Sequence, residues 1–201
     1  DVHPGPLAHG FQPFEDLDRA FALADSSKIP AIHDYIYWYA ARNSPQARET
    51  ITQRLLSLAG EARLPQLEVL ALAVRDLRGL SVPPSWSKLS AEIYDSSIAG
   101  IRDAGESIGA AFGDASLYER MRNRLAAADS SIQTRREAIS VLSSDSSPQN
   151  LPYFLDSLDT PELVAQVIPT LSRFSDKTVA DQLLARLSGL QGKENSAAME
   201  V

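Results

Sequence analysis

Apolar residues along this chain recur at steps of three and four, the period that lines side chains on one face of an α-helix. The clearest case runs over residues 98–125. Ile98, Ile101, Gly105, Ile108 and Phe112 form one stripe, and Leu117, Met121, Leu125 and Ala128 form a second. Between them stand Gly113, which tolerates the left-handed conformation that closes a helix, and Asp114, a good N-cap for the next. The spacing predicts a helical hairpin. A lone hairpin cannot cover its apolar faces, so it must stack on similar pairs.

The same reading applies elsewhere. Residues 14–24 carry Leu17, Phe21 and Leu23 or Ala24, and the stripe ends near Asp25-Ser26-Ser27. Pro30 suits the first position of a helix over 30–42 that is rich in aromatics. Ser44-Pro45 supplies a cap and a first-position proline for a helix through Ala47, Ile51, Leu55 and Leu58 up to Gly60. Leu67, Leu70, Ala71, Val74 and Leu77 predict a fourth helix over 65–78, stopped by Gly79. An irregular Val82-Pro83-Pro84-Ser85-Trp86 insertion leads to a short helix capped at Ser85, with Trp86 expected to plug the gap the loop leaves. Beyond the hairpin, Ala138, Val141 and Leu142 mark one helix, and Leu151, Phe154, Leu155 and Leu158 mark another. Thr160-Pro161-Glu162 then opens a helix with Val164, Val167, Ile168 and Leu171, kinked at Pro169, and Val179, Leu183, Leu187 and Leu190 follow.

Ala104, Ala138 and Ile168 hold equivalent places, as do Leu125, Leu158 and Leu187, so the unit repeats at roughly 30 residues. Asp-Ser-Ser recurs at Asp25, Asp95, Asp129 and Asp145, each time between stripes, where it supplies turn and cap chemistry. No long run alternates with period two. The expected fold is therefore all-α, a right-handed α-α superhelix of about four to six antiparallel pairs. An extended segment over residues 1–13, one repeat domain over 14–191 and a tail or truncated further repeat over 192–201 complete the expected organisation.

Composition narrows the chemistry. With 44% hydrophobic and 22% charged residues in 201, the chain can build an ordinary globular core. The net charge of −7, without a Lys/Arg run, argues against nucleic acid as a partner. Arg120, Arg122 and Arg124 come nearest to a basic stripe, but they spread too far around a helix to share one face. The absence of cysteine excludes disulfides, thiolate metal sites and a covalently attached c-type haem. No apolar run approaches the roughly 20 residues needed to span a bilayer.

A HEAT-type unit tends to show an arginine and then an alanine on its first helix after an Asp or Pro turn. Ile101-Arg102 with Ala104-Gly105, and Arg135 with Ala138 and Leu142, resemble that pattern, whereas the Trp, Leu-Gly and Tyr offsets of tetratricopeptide repeats are missing. The resemblance extends to the HEAT-like region of the very large dehydrogenase-like haem proteins of planctomycetes and verrucomicrobia. It rests on Ile101-Arg102-Asp103-Ala104, Ala110-Ala111-Phe112-Gly113-Asp114, Arg136-Glu137-Ala138, Leu155-Asp156-Ser157-Leu158, Leu171 to Asp176 with Leu183-Leu184-Ala185-Arg186-Leu187, and the aromatic run Tyr35-Ile36-Tyr37-Trp38-Tyr39-Ala40. The resemblance implies an ARM-type α-solenoid lying between a propeller and a cytochrome domain. It also implies export with its parent to the periplasm or beyond, and a role as spacer or docking surface without a cofactor of its own.

Reactive constellations are thin. His3, His9 and His33 fall in the first 33 residues without a ligand spacing, so no metal is expected. No Gly-x-Ser-x-Gly elbow occurs, and Gly105 and Gly109, four apart on a helix, suit close packing rather than nucleotide binding. The expected function is a non-catalytic interaction or interdomain scaffold module whose partner is an adjoining domain of a larger parent or another protein. The alternative is an enzyme using carboxylate acid/base chemistry in a helical groove, with pairs such as Glu15 and Asp16 or Asp156 and Asp159 as candidates. On the aromatic helix, Ile32, Tyr35, Ile36 and Tyr39 share one face, expected to be core, with Trp38 on its flank. His33 and Tyr37 point the other way. They either pack on a neighbouring repeat or, with Trp38, form a protein-binding surface.

Overall fold

A computed structural model describes residues 16–77, 79–174, 179–181 and 184. The chain is all-α: among the described residues there are ten α-helices with both ends defined, further helical residues at 179–181 and 184, and no strand. The ten are α1 (Leu17–Ser26), α2 (Pro30–Asn43), α3 (Pro45–Ser57), α4 (Leu64–Val74), α5 (Trp86–Ile93), α6 (Ala99–Phe112), α7 (Ala115–Ala126), α8 (Ile132–Leu142), α9 (Leu151–Ser157) and α10 (Pro161–Leu171). The expected segments at residues 1–13 and 192–201 lie outside the described residues, as do Leu183, Leu187 and Leu190.

The helices group into two compact units that divide between Asp114 and Ala115. In the first, α2, α4 and α6 lie side by side, α3 packs on α5 as well as on α2, α1 lies on α2, and α5 on α6. In the second, α7 packs on α8 and α9, while α10 packs on α8 and α9. The predicted hairpin over 98–125 therefore exists as two helices whose apolar faces are satisfied within different units.

Local chemistry explains the boundaries. Asp16 caps α1 by accepting the Arg19 N–H at 2.9 Å, and Ser44 caps α3 by accepting that of Ala47 at 3.1 Å. Gly113 closes α6 at φ 69°, with its N–H on Ala110 O and the Asp114 N–H on Gly109 O, the pairing of a left-handed helix end. Each Asp-Ser-Ser makes a turn as expected. Ser27 Oγ accepts from Ile29, Ser96 Oγ from Ile98 and Ser131 Oγ from Thr134, while Asp145 Oδ1 accepts from Ser147. Two expected caps differ. The Thr160 side chain makes no capping bond. Ser85 instead gives both its N–H and its hydroxyl to Glu49 of α3, tying down the irregular loop. Those bonds hold the Glu49 carboxyl below its ordinary range although burial alone would raise it.

A recurring arginine contact joins successive elements. Arg48 reaches Ala41 O, Arg63 reaches Leu55 O and Leu58 O, Arg102 reaches Ser96 O, and Arg135 reaches Ala127 O. In each case a cation near the start of one helix caps carbonyls at or just beyond the end of the preceding helix, where the backbone dipole is negative. Arg48 does this while almost wholly buried. Its Nε has no partner among the described residues, and burial lowers its pKa.

Packing in the first unit centres on Trp86, which is 1% exposed and fills the space behind the loop, as expected. Its ring meets Phe112 edge-on at 5.1 Å and Tyr94 at 6.4 Å. Trp86 Nε1–H and Tyr94 O–H both donate to Asp114 Oδ2 at 2.8 Å. Burial, reinforced by the Asp114 charge, pushes the Tyr94 phenol far above its ordinary range. Gly105 meets Ile93 so closely that a Cβ there would lie 2.7 Å from Ile93 Cδ1, which bears out the close-packing reading at that glycine. In the second unit the repeat register slips: Ala138 is fully buried, but Ile168 is exposed, and α10 buries Leu163, Val167, Thr170 and Leu171 instead.

Candidate protein-binding groove

The α2 segment carries aromatic or aliphatic side chains on opposite sides, and of the face expected in the core only Ile36 is buried, the inward side having turned towards Tyr37. Ile36, Tyr37, Ala40 and Ala41 face the core, whereas Tyr35 is 61% exposed and Ile32 41%. The alanines allow close approach by neighbouring helices, and Tyr37 can be buried because its hydroxyl is answered there. It donates to Asp25 Oδ1 at 2.8 Å and accepts from Arg54, whose guanidinium also reaches Asp25 Oδ2 at 2.8 Å. Arg54 lies over the rings of Phe21 and Tyr37. Three helices are thus pinned at one point. Burial and the Asp25 hydrogen bond push the Tyr37 phenol up to about 12, against the opposing pull of Arg54.

The three residues expected to share a binding surface are therefore separated. Tyr37 is 1% exposed and cannot present its ring to a partner. His33 stacks on Tyr37 with ring centroids 4.4 Å apart, its Nδ1 is 3.0 Å from Asp34 Oδ1, and its Nε2 lies 4.0 Å from Asp25. Trp38 alone of the three turns to the other side. There it joins Asp34 and Tyr35 of α2 and Pro65, Glu68, Val69 and Leu72 of α4 around a groove of about 380 Å³.

The groove follows from how α2 and α4 pair. Arg42, near the end of α2, donates to Ala73 O at 3.2 Å and, through two nitrogens, to both oxygens of Asp76 at 2.7 and 2.8 Å. The two C-terminal ends are thereby held together and the helices run parallel. Those bonds hold the Asp76 carboxyl down at about 2. The Arg42 guanidinium also lies 5.6 Å from the Trp38 ring centre, and Tyr35 packs against Trp38 at 6.1 Å and Tyr39 at 6.0 Å. The result is an aromatic wall from α2 facing Val69 and the half-exposed Leu72 of α4. Asp34 and Glu68 are the charged members of the lining, and no cation lines the groove among the described residues.

Glu68 and Leu72 were not singled out by the sequence pattern, and Tyr35 was expected in the core, whereas it is 61% exposed. A signal existed: α4 reads Leu-Pro-Gln-Leu-Glu-Val-Leu-Ala-Leu-Ala-Val, more apolar residues than one buried stripe requires. On α7, Arg120 and Arg124 share one surface with Glu119, while Arg122 turns away to donate to Asn150 at 3.0 Å, so the three arginines do not line up. Among the described residues no group of three or more His, Asp or Glu could hold a metal ion, and no helix is long and apolar enough to cross a membrane. His3 and His9 lie outside the described residues.

Fold and groove together define an all-α protein with an aromatic, acidic surface cleft. No family model, no curated protein and no solved structure matches the chain.

Proposed function

We propose that the chain is a non-catalytic helical interaction module, a two-layered HEAT-like stack that presents the α2/α4 groove to a protein partner. One observation carries this reading: Tyr35 and Leu72 leave large apolar surface in water beside Trp38 in the cleft, where an isolated globular unit would cover it. The layered reading draws support from α2, α4 and α6 lying side by side with α3 on α5, and from the repeated arginine contacts between successive elements. The family resemblance adds a setting, as a scaffold segment of a larger exported dehydrogenase-like haem protein. The complete reading frame tests that setting, since propeller and haem-attachment segments must flank the helices.

The docking role is tested by placing a photoreactive phenylalanine analogue at position 35 or 72 in the native host. A discrete protein adduct is expected from both positions. It should be absent when the probe sits at exposed position 53 of α3 and lost on Trp38→Ala. Equal adducts from position 53 would refute the groove.

A further inference from the structure

The occupant of this groove can be specified further on the docking reading just given. We propose that it takes the apolar face of a basic amphipathic helix, with a lysine or arginine of the partner set against Asp34 and Glu68. Shape and charge carry the inference. The α4 wall offers Pro65, Glu68, Val69 and Leu72, residues spaced i, i+3, i+4 and i+7, which extend about 10 Å along the helix. A cleft between two parallel helices, two turns long and lined by side chains at that spacing, accepts side chains of a third helix at the same spacing. An extended strand would need unpaired backbone to bind, and neither wall supplies any because both are helices.

The charges are distributed unevenly. Asp34 and Glu68 sit towards the N-terminal ends of α2 and α4, while the Arg42–Asp76 pair that ties the C-terminal ends together is neutralised internally. Glu68 is exposed. Asp34 is exposed and shares one oxygen with His33. A cation on the partner therefore meets two carboxylates beside an aromatic wall, where both charge and ring faces favour it. The chain's net charge of −7 favours approach by a basic segment in the same sense. An acidic or neutral helix would bury the same apolar residues while leaving Glu68 uncompensated.

A displayed library of 16-residue helices, panned on the intact chain, tests this. Enriched sequences are expected to share apolar residues at i, i+3 or i+4 and i+7 and at least one Lys or Arg a turn away. Synthesised binders should lose at least tenfold in affinity on Leu72→Asp, a change at a half-exposed site whose folding is checked by circular dichroism. Glu68→Lys should weaken the basic peptides and strengthen their Glu-substituted twins. Binders lost on Leu72→Asp but lacking basic residues would overturn this inference and leave the docking groove standing. If no binder depends on Leu72, the inference and the docking role fall together.

Discussion

Replacing Tyr37 separates its two roles. Tyr37→Ala removes a ring that is 1% exposed and packed between Phe21 at 4.8 Å and His33 at 4.4 Å, so the loss should be that of a buried aromatic, about 3–5 kcal/mol. Tyr37→Phe keeps the ring and removes one donor. Asp25 and Arg54 remain bonded to each other and partly in water, so no buried charge is stranded, and the cost should be about 1 kcal/mol. Urea unfolding at neutral pH reads both. Fluorescence reports the first unit specifically, because both tryptophans, Trp38 and Trp86, lie in it. With a slope of about 2 kcal/mol per molar, Tyr37→Ala should lower the midpoint by about 2 M and Tyr37→Phe by about 0.5 M. The pH dependence has a definite sign. The unfolded phenol loses its proton near 10 and the folded one at about 12. The contribution of the protonated hydroxyl is thus complete below pH 10 and is lost as pH rises towards 12, so the gap between native and Tyr37→Phe chains should shrink over that interval. A Tyr37→Ala loss below 1 kcal/mol would refute the burial of the ring. A gap that widens with pH would refute the Asp25–Tyr37–Arg54 linkage.

Three further outcomes are expected. Gly105→Ala should destabilise by about 1–3 kcal/mol through its collision with Ile93, and Ile93→Val, which removes Cδ1, should recover part of that loss in a double-mutant cycle. Asp114→Ala should cost about 2–4 kcal/mol by taking the shared acceptor from Trp86 and Tyr94, with Asp114→Asn milder, as a fluorescence-monitored urea titration would show. The Asp76 carboxyl, held near 2 in the folded chain against an ordinary 3.8, supports stability above pH 3.8 and loses that effect as pH falls through 2; Asp76→Asn should flatten the acid limb of the stability profile there.

Helix positions were legible because the determinants are local: periodicity, Ser44-Pro45, Gly113 and the Asp-Ser-Ser turns act within a few residues. Which face of α2 turns inward was not. Ile32, Tyr35, Ile36 and Tyr39 form as good a stripe as Ile36, Tyr37, Ala40 and Ala41, and the choice was made by residues distant in sequence. Asp25 and Arg54 make burying the Tyr37 hydroxyl acceptable, and two small alanines let neighbouring helices come close. The same reasoning missed the groove. Leu72 matters only because α2 lies parallel to α4, and that pairing is fixed by Arg42 reaching 34 residues along the chain to Asp76. Trp86 was placed correctly since a bulky ring after a Pro-Pro insertion has few alternatives. Its acceptor, Asp114, was read only as a helix cap, because nothing local connects the two.

The position of Asp114 gives the first unit a sharp chemical boundary. It is that unit's last residue, yet its side chain answers Trp86 and Tyr94 in the interior and its N–H closes α6 on Gly109 O. A chain ended after Asp114 carries its own keystone. One ended two residues earlier, at Phe112, keeps every apolar side chain of α6 but leaves an indole and a phenol in the core without their shared carboxylate. A cut after Phe112 would therefore cost the first unit at least what Asp114→Ala costs it, about 2–4 kcal/mol, a loss that a cut after Asp114 avoids.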